Sequence, residues 1–188
     1  MTKEALRLAY KLKRQQLKIA EKDRLEDLIL IQFQKLPHFD GNIMMTYAPI
    51  ALQNEYNPYL IETWLALQME NAQFVYPKID VETNKMQGYV ITNDTAFDTN
   101  TYGIDEPISN HIIDPLQINV MIIPLLAFDT NGYRVGYGKG YYDKYIGYCS
   151  PAMIKIGCSF FDPVIIDDIN QHDKKLDFCI TPNKLYSF

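Results

Sequence analysis

The sequence predicts an α/β fold, layered, with a mostly parallel central sheet, in one domain spanning residues 1–188. Three observations lead there. Segments with helical apolar periodicity alternate with short runs that read as strands. One run, Ile118 to Pro124, is nearly all apolar, the pattern of a strand buried on both faces. A chain of 188 residues that is 47% hydrophobic and 22% charged is ordinary for a globular protein and long enough to bury a real core.

Residues 2–19 read as a helix, with Leu6, Ala9, Tyr10 and Leu17 at helical spacing toward the core. Lys3, Arg7 and Lys11 fall at i, i+4 and i+8 on one face, with Arg14 near it. A second helix is expected from about Asp23 to Leu36, stopped by Pro37. Ile43 to Tyr47 reads as a short strand, and Pro58 opens a third helix with Leu60, Ile61, Trp64, Leu65 and Leu67 on its apolar side. Phe74 to Tyr76 reads as a strand ended by Pro77, and Gly88 to Thr92 as a more exposed one. Residues 93–117 look irregular. After the central strand, a helix is expected from about Lys139 to Tyr148, then strands at Ile154 to Phe160 and Cys179 to Thr181.

Composition narrows the function. A net charge of −5 argues against a general nucleic-acid binder. Three widely spaced cysteines, Cys149, Cys158 and Cys179, match neither a zinc pattern nor a disulfide framework, so reduced cytoplasmic thiols are expected. The longest apolar run is too short to span a bilayer, and the N-terminus is too charged for a signal peptide. No membrane and no nucleic-acid partner is expected. The 14 tyrosines fit either composition bias or flat surfaces for an aromatic ligand.

The chemistry concentrates in residues 124–145. Three glycines at alternate positions, Gly136, Gly138 and Gly140, surround Tyr137 and Lys139, with Arg134 before them and Tyr141, Tyr142 and Asp143 after. Glycines tolerate φ > 0 and let backbone approach a ligand. Successive N–H groups then form an anion-binding concavity, to which a following helix N-terminus adds its dipole. Lysine and arginine add full positive charge, and an aspartate can hold Mg²⁺. Together these describe a phosphate cradle with a metal ligand. The glycines also fit plain turns, and Asp129 to Gly132 is a turn by composition. The stretch is no P-loop, since Gly-Lys-Ser/Thr is absent, and its glycine spacing is wrong for a dinucleotide fingerprint.

Other candidates carry two readings each. The stripe Lys3, Arg7, Lys11 is either a solvated helix face or a phosphate clamp on a rigid element. Asp143 and Asp173 are the best carboxylate pair for a metal, but 30 residues separate them, so only the fold can unite them. Glu55 lies in a polar loop after the first strand, where α/β sheets bind ligands and where solvated glutamates are also common. His172 lacks a companion histidine, and no Ser-His-Asp or Cys-His pairing offers a covalent nucleophile.

At these residues the chain resembles the 5-formyltetrahydrofolate cyclo-ligases, also called 5,10-methenyltetrahydrofolate synthetases. The family pattern is an apolar strand followed by Pro-x-Leu-Ala-Phe-Asp-x-x-Gly-x-Arg-hydrophobic-Gly-x-Gly-x-Gly-Tyr-Tyr-Asp, which residues 124–143 match nearly throughout. Shorter elements follow in family order: Lys3 and Arg7, then Tyr47 with Pro49 and Glu55, Tyr76-Pro77-Lys78, Gly103 to Pro107, and His172 to Asp177.

The resemblance implies a three-layer α/β/α sandwich. It implies ATP- and Mg²⁺-dependent closure of 5-formyltetrahydrofolate, polyglutamylated forms included, by a cytoplasmic enzyme expected to be a monomer. ATP would phosphorylate the formyl oxygen, N10 would attack the activated carbon, and phosphate would leave. Such chemistry rests on positioning and charge, which fits the missing nucleophile. Lys139, Tyr141 and Arg134 are then the expected catalytic residues. Lys3, Arg7, Arg134, Gly136, Tyr137, Gly138, Lys139, Gly140 and Tyr142 would hold ATP, Asp143 and Asp173 would hold Mg²⁺, and Glu55, Tyr47 and Tyr141 would contact the folate. Tyr137 stands where many relatives carry arginine, a loss of one charge-assisted contact on the order of 1.5–3 kcal/mol. The loop before Glu55 also looks longer than usual. Rival readings are another small-molecule kinase or ligase with the same cradle, and a folate-binding module without catalysis.

Overall fold

The computed structural model describes residues 1–188 apart from positions 81, 84 and 102. In chain order the elements are α1 (Lys3–Gln15), α2 (Ile19–Phe33), β1 (Ile43–Met45), α3 (Tyr59–Gln68), β2 (Gln73–Asp80), β3 (Lys85–Ile91), β4 (Phe97–Thr99), β5 (Asp105–Pro107), β6 (Val120–Ile123), β7 (Ala127–Phe128), β8 (Arg134–Val135), α4 (Tyr141–Ile146), β9 (Ile154–Cys158), β10 (Phe178–Ile180) and β11 (Leu185–Ser187). Seven strands form the central sheet in the order β11-β10-β9-β6-β1-β2-β3. The five inner strands are parallel, and β3 and β11 close the edges antiparallel.

The all-apolar β6 sits at the middle of this sheet, as its sequence requires. Its side chains alternate between two cores. Val120 and Ile122 pack with Ile29 and Phe33 of α2 and Ile61 and Leu65 of α3. Met121 and Ile123 pack with Tyr145 of α4 and with Cys149 and Met153 just beyond it. Helices therefore flank both faces, and burying both faces is what a parallel strand demands. A third cluster sets Leu6 and Tyr10 of α1 against Leu126, Ala127 and Val135, which docks α1 over the β7–β8 hairpin.

Several boundaries depart from expectation. The first helix ends at Gln15, because Lys18 is extended (φ −73°, ψ 150°) and starts α2 early, at Ile19. Pro77 does not end β2, which runs on to Asp80. It pairs with Gly88, whose carbonyl points the other way, to the Ile113 N–H. The pair is thus a non-hydrogen-bonded one, and the missing Pro77 donor faces a side where β1 has already ended. Residues 93–117 contain the small β4–β5 hairpin, which packs on the sheet through a Phe97–Tyr76 edge contact; position 102 lies outside the described residues. The edge strand β11 was not anticipated, and α4 is shorter than expected.

A buried carboxylate ties the sheet to α3. Glu62 accepts from the Thr46 hydroxyl at 2.9 Å and from the Tyr76 hydroxyl at 2.8 Å. Burial pushes its pKa above the usual carboxylate value, and the two hydroxyl donors pull it partly back. A raised folded-state pKa means a stability contribution that is complete below the unfolded value and lost as pH rises through the folded one. Glu62→Gln should therefore remove a decline in stability that begins above about pH 4.5. Thermal unfolding of both proteins from pH 4.5 upward should show the variant gaining on wild type as pH rises; a constant difference would contradict the assignment.

Candidate active site

The site lies at the carboxyl ends of β1 and β6, where an open parallel sheet leaves a crevice. After β6 the chain forms the β7–β8 hairpin. Its turn is held by the Asp129 carboxylate, which accepts from the N–H groups of Asn131 and Tyr133 at 2.9 Å each, with Gly132 at φ +87°. The hairpin delivers Arg134 and then the glycine loop, residues 136–140. Gly138 and Gly140 have φ of +92° and +70°, a region that L side chains rarely adopt, so these two glycines are required by the backbone. Only six residues of helix follow, so loop amides and side-chain cations, more than a long helix dipole, supply the positive field.

Helix α1 brings its basic face onto this loop. The Arg7 Nε donates to the Gly136 carbonyl at 2.9 Å, and a Cβ at Gly138 would lie 3.3 Å from the Arg7 guanidinium carbon. Lys3, buried at the start of α1, forms an ion pair with Asp173. Lys11 stands 5.5 Å from the Tyr137 ring centroid. The stripe that sequence left as either a solvated face or a clamp is thus turned inward at Lys3, Arg7 and Arg14.

The fold brings the Asp143 side chain to the backbone beside Asp173. Asp143 Oδ1 accepts from Arg134 at 3.1 Å and from the backbone N–H of Lys174, the residue next to Asp173, at 2.9 Å. Asp173 Oδ2 accepts from Lys3 and from the Asn170 N–H. Arg134, buried, also donates to the Lys174 carbonyl at 2.7 Å. Burial lowers its pKa, and the charge of Asp143, with that of Asp173 behind it, raises it again. Among the described residues no group of three or more His, Cys, Asp or Glu side chains gathers as a metal site. Two hard carboxylates suit Mg²⁺ when a ligand's phosphate oxygens and water complete its shell. Here each aspartate uses one oxygen on protein donors, and its other oxygen accepts no hydrogen bond among the described residues.

Glu55 is only 3% exposed and sits beside the glycine loop. Its Oε2 accepts from the Ile50 N–H at 2.8 Å and its Oε1 from the Tyr137 hydroxyl at 2.7 Å. The Tyr137 oxygen in turn accepts from Arg14 at 2.6 Å. The Tyr137 hydroxyl is therefore engaged below the loop. Tyr47 lies buried in the core beneath, its hydroxyl donating to the Tyr56 carbonyl at 3.1 Å. Burial, then the charge of Glu55, push the phenols of Tyr47, Tyr137 and Tyr142 well up, so all three stay protonated. Lys139 is exposed at the tip of the loop, and Tyr141 and Tyr142 are half-buried. From Tyr141 a groove of about 390 Å³ runs between α4 and β3, lined by Met86, Ile113 and Tyr145 and flanked by Lys85 and Lys144.

Sequence reasoning missed Arg14 as a member of the site and gave Tyr137 no partner. The available signal was the spacing of Lys3, Arg7 and Arg14, which places all three on one helical face. Gly138→Ala should destabilise the fold by about 1–2 kcal/mol, because the residue must stay left-handed against Arg7. Gly136→Ala, with ordinary φ and open space, should be nearly neutral in the same urea titration. Equal effects would show that the Arg7 contact and the left-handed backbone do not constrain the loop.

Known proteins resemble this chain over most of its length. The pattern defining the 5-formyltetrahydrofolate cyclo-ligase family matches residues 3–182. A 5-formyltetrahydrofolate cyclo-ligase of Mycoplasma pneumoniae is 31% identical over 163 residues, covering 85% of this chain and 86% of its own. The NMR structure of an Aquifex aeolicus 5,10-methenyltetrahydrofolate synthetase superposes with a TM-score of 0.78 at 25% identity, covering 100% of this chain and 93% of its own. A 5,10-methenyltetrahydrofolate synthetase structure from Mycoplasma pneumoniae gives 0.71 at 27% identity, with coverage of 97% and 99%.

Proposed function

This chain belongs to the 5-formyltetrahydrofolate cyclo-ligase family and is an enzyme of that class, and from that premise we propose that its glycine loop closes 5-formyltetrahydrofolate to 5,10-methenyltetrahydrofolate with consumption of ATP, releasing ADP and phosphate. The carrying observation is the convergence of Lys3, Arg7 and Arg134 with the loop amides and with Asp143 and Asp173. Phosphoryl transfer needs positioning and charge neutralisation more than a covalent partner, and this cluster offers both.

In this reading Arg7 and Lys139 take the terminal phosphates, with Lys3 and Arg134 within the same cluster. Gly136, Gly138 and Gly140 let the backbone N–H groups come close. Asp143 and Asp173 would hold Mg²⁺, which neutralises charge on the phosphates when bound. The formyl oxygen takes the phosphoryl group, N10 attacks the activated carbon, and phosphate leaves. Tyr141 lies beside the reacting centre, and Glu55 accepts from the pterin N–H groups. The groove beyond Tyr141 suits the aromatic and carboxylate-bearing remainder of the folate, since tyrosines line it and Lys85 and Lys144 flank it. Polyglutamylated substrates would extend along the same lysines. No helix among the described residues is long and apolar enough to cross a membrane, and the proposal places the enzyme in the cytoplasm as a monomer.

Near-ultraviolet absorbance of the protein with 5-formyltetrahydrofolate, Mg²⁺ and ATP tests the reaction. The methenyl chromophore should rise with ATP and stay flat without it; a flat trace from folded protein with ATP would overturn the proposal. Lys139 is exposed and makes no hydrogen bond or ion pair among the described residues, so its removal leaves the fold intact. Lys139→Ala should raise the KM for ATP about tenfold while the KM for the folate stays near wild type. A shift confined to the folate KM would reassign the lysine.

A further inference from the structure

The side-chain contacts from Arg14 through Tyr137 to Glu55 involve none of the cations and carboxylates assigned above to the phosphates and Mg²⁺. Arg14 lies on the inward face of α1, 3% exposed. Its Nη2 donates to the Tyr137 oxygen at 2.6 Å, and Tyr137 donates to Glu55 at 2.7 Å. Arg14 Nη1 donates to the Leu125 carbonyl at 3.4 Å, just past the end of β6. The Arg14 carbonyl accepts from the Asn54 side chain at 2.9 Å, and Asn54, in a left-handed conformation (φ 47°), immediately precedes Glu55. The end of α1 thus fixes both the backbone that carries Glu55 and the hydroxyl that aims its carboxylate.

We infer that Arg14 and Tyr137 are positioning residues that hold Glu55 in one orientation as a charged acceptor for the N–H groups of the bound folate's pterin ring. The inference rests on the proposed reaction for the identity of that ligand. Three observations support it. With Oε2 held by the Ile50 N–H and Oε1 by Tyr137, each oxygen keeps a further lone pair for a ligand.

Burial raises the Glu55 pKa, and the Ile50 N–H, the Tyr137 hydroxyl and the Arg14 charge pull it partly back toward the charged form. The other titratable groups facing it, Tyr47 beyond β1 and Tyr142 on α4, are neutral phenols and supply no compensating charge. Finally, the buried Arg14 Nε has no hydrogen-bond partner among the described residues. An orphaned donor on a buried guanidinium is destabilising, so packing alone does not account for an arginine here.

Two measurements test the inference. In ligand-free protein, the ¹³C side-chain carboxyl signal of Glu55 is followed against pH. Tyr137→Phe should move its midpoint to higher pH, since a donor to the charged form is gone. In turnover, Tyr137→Phe should raise the KM for 5-formyltetrahydrofolate about tenfold, leave the KM for ATP near wild type, and move the acidic limb of kcat/KM upward. Arg14→Lys keeps the charge and should show smaller changes in the same directions, and it serves if the phenylalanine variant fails to fold by circular dichroism. An unchanged Glu55 midpoint, or a KM change confined to ATP, overturns the inference. Should the wild type turn over no folate, the proposed reaction fails, and the ligand-free titration still decides whether Arg14 and Tyr137 set the state of Glu55.

Discussion

The contact of Arg7 with the glycine loop is the interaction on which the rest of the site depends. It joins the first helix to a loop far along the chain through the Gly136 carbonyl, and the guanidinium lies so close to Gly138 that a Cβ there would stand 3.3 Å from it. The apolar side of α1 supplies the docking, with Leu6 and Tyr10 buried against Leu126, Ala127 and Val135. The polar side of the same helix is thereby fixed in place. Lys3 meets Asp173 at one end, and Arg14 meets Tyr137 at the other. One rigid helix therefore sets the spacing of three cations across two neighbouring parts of the site.

Those two parts differ in their electrostatics. Around Arg134, Asp143, Lys3 and Asp173, opposite charges are paired and backbone donors complete the carboxylates. A phosphate ligand arriving there would meet cations already oriented and partly desolvated, which limits the reorganisation that charge stabilisation requires. Around Glu55 the charge is buried, and phenols outnumber cations. The glycine loop passes between the two parts, with Tyr137 turned toward the carboxylate and Lys139 toward solvent.

The central strand shows why the fold was largely legible. An uninterrupted apolar run must be covered on both sides, so β6 had to be interior and helices had to flank it. Boundaries set by pairing were less legible. Pro77 looked like a strand end, but its lost donor matters only if a neighbouring strand needs it, and β1 has already ended on that side. The edge strand β11 has too few residues to announce itself, and its pairing with β10 defines it.

By itself the sequence determined the alternation of helices and strands, the buried centre of the sheet, the turn at Asp129 to Gly132, the glycine loop with its cations, and through those motifs the family. These are local properties, written in periodicity, in backbone freedom and in residue order. Tertiary structure alone decided that Asp143 reaches the backbone beside Asp173, that the basic stripe of α1 faces inward, and that the Tyr137 hydroxyl joins Arg14 to Glu55. Each of these joins positions far apart in the chain, and their distances follow from how α1, the glycine loop and the 170–174 loop pack at the end of the sheet. A side chain's partners are set by that packing, and residue spacing along the chain carries no record of it.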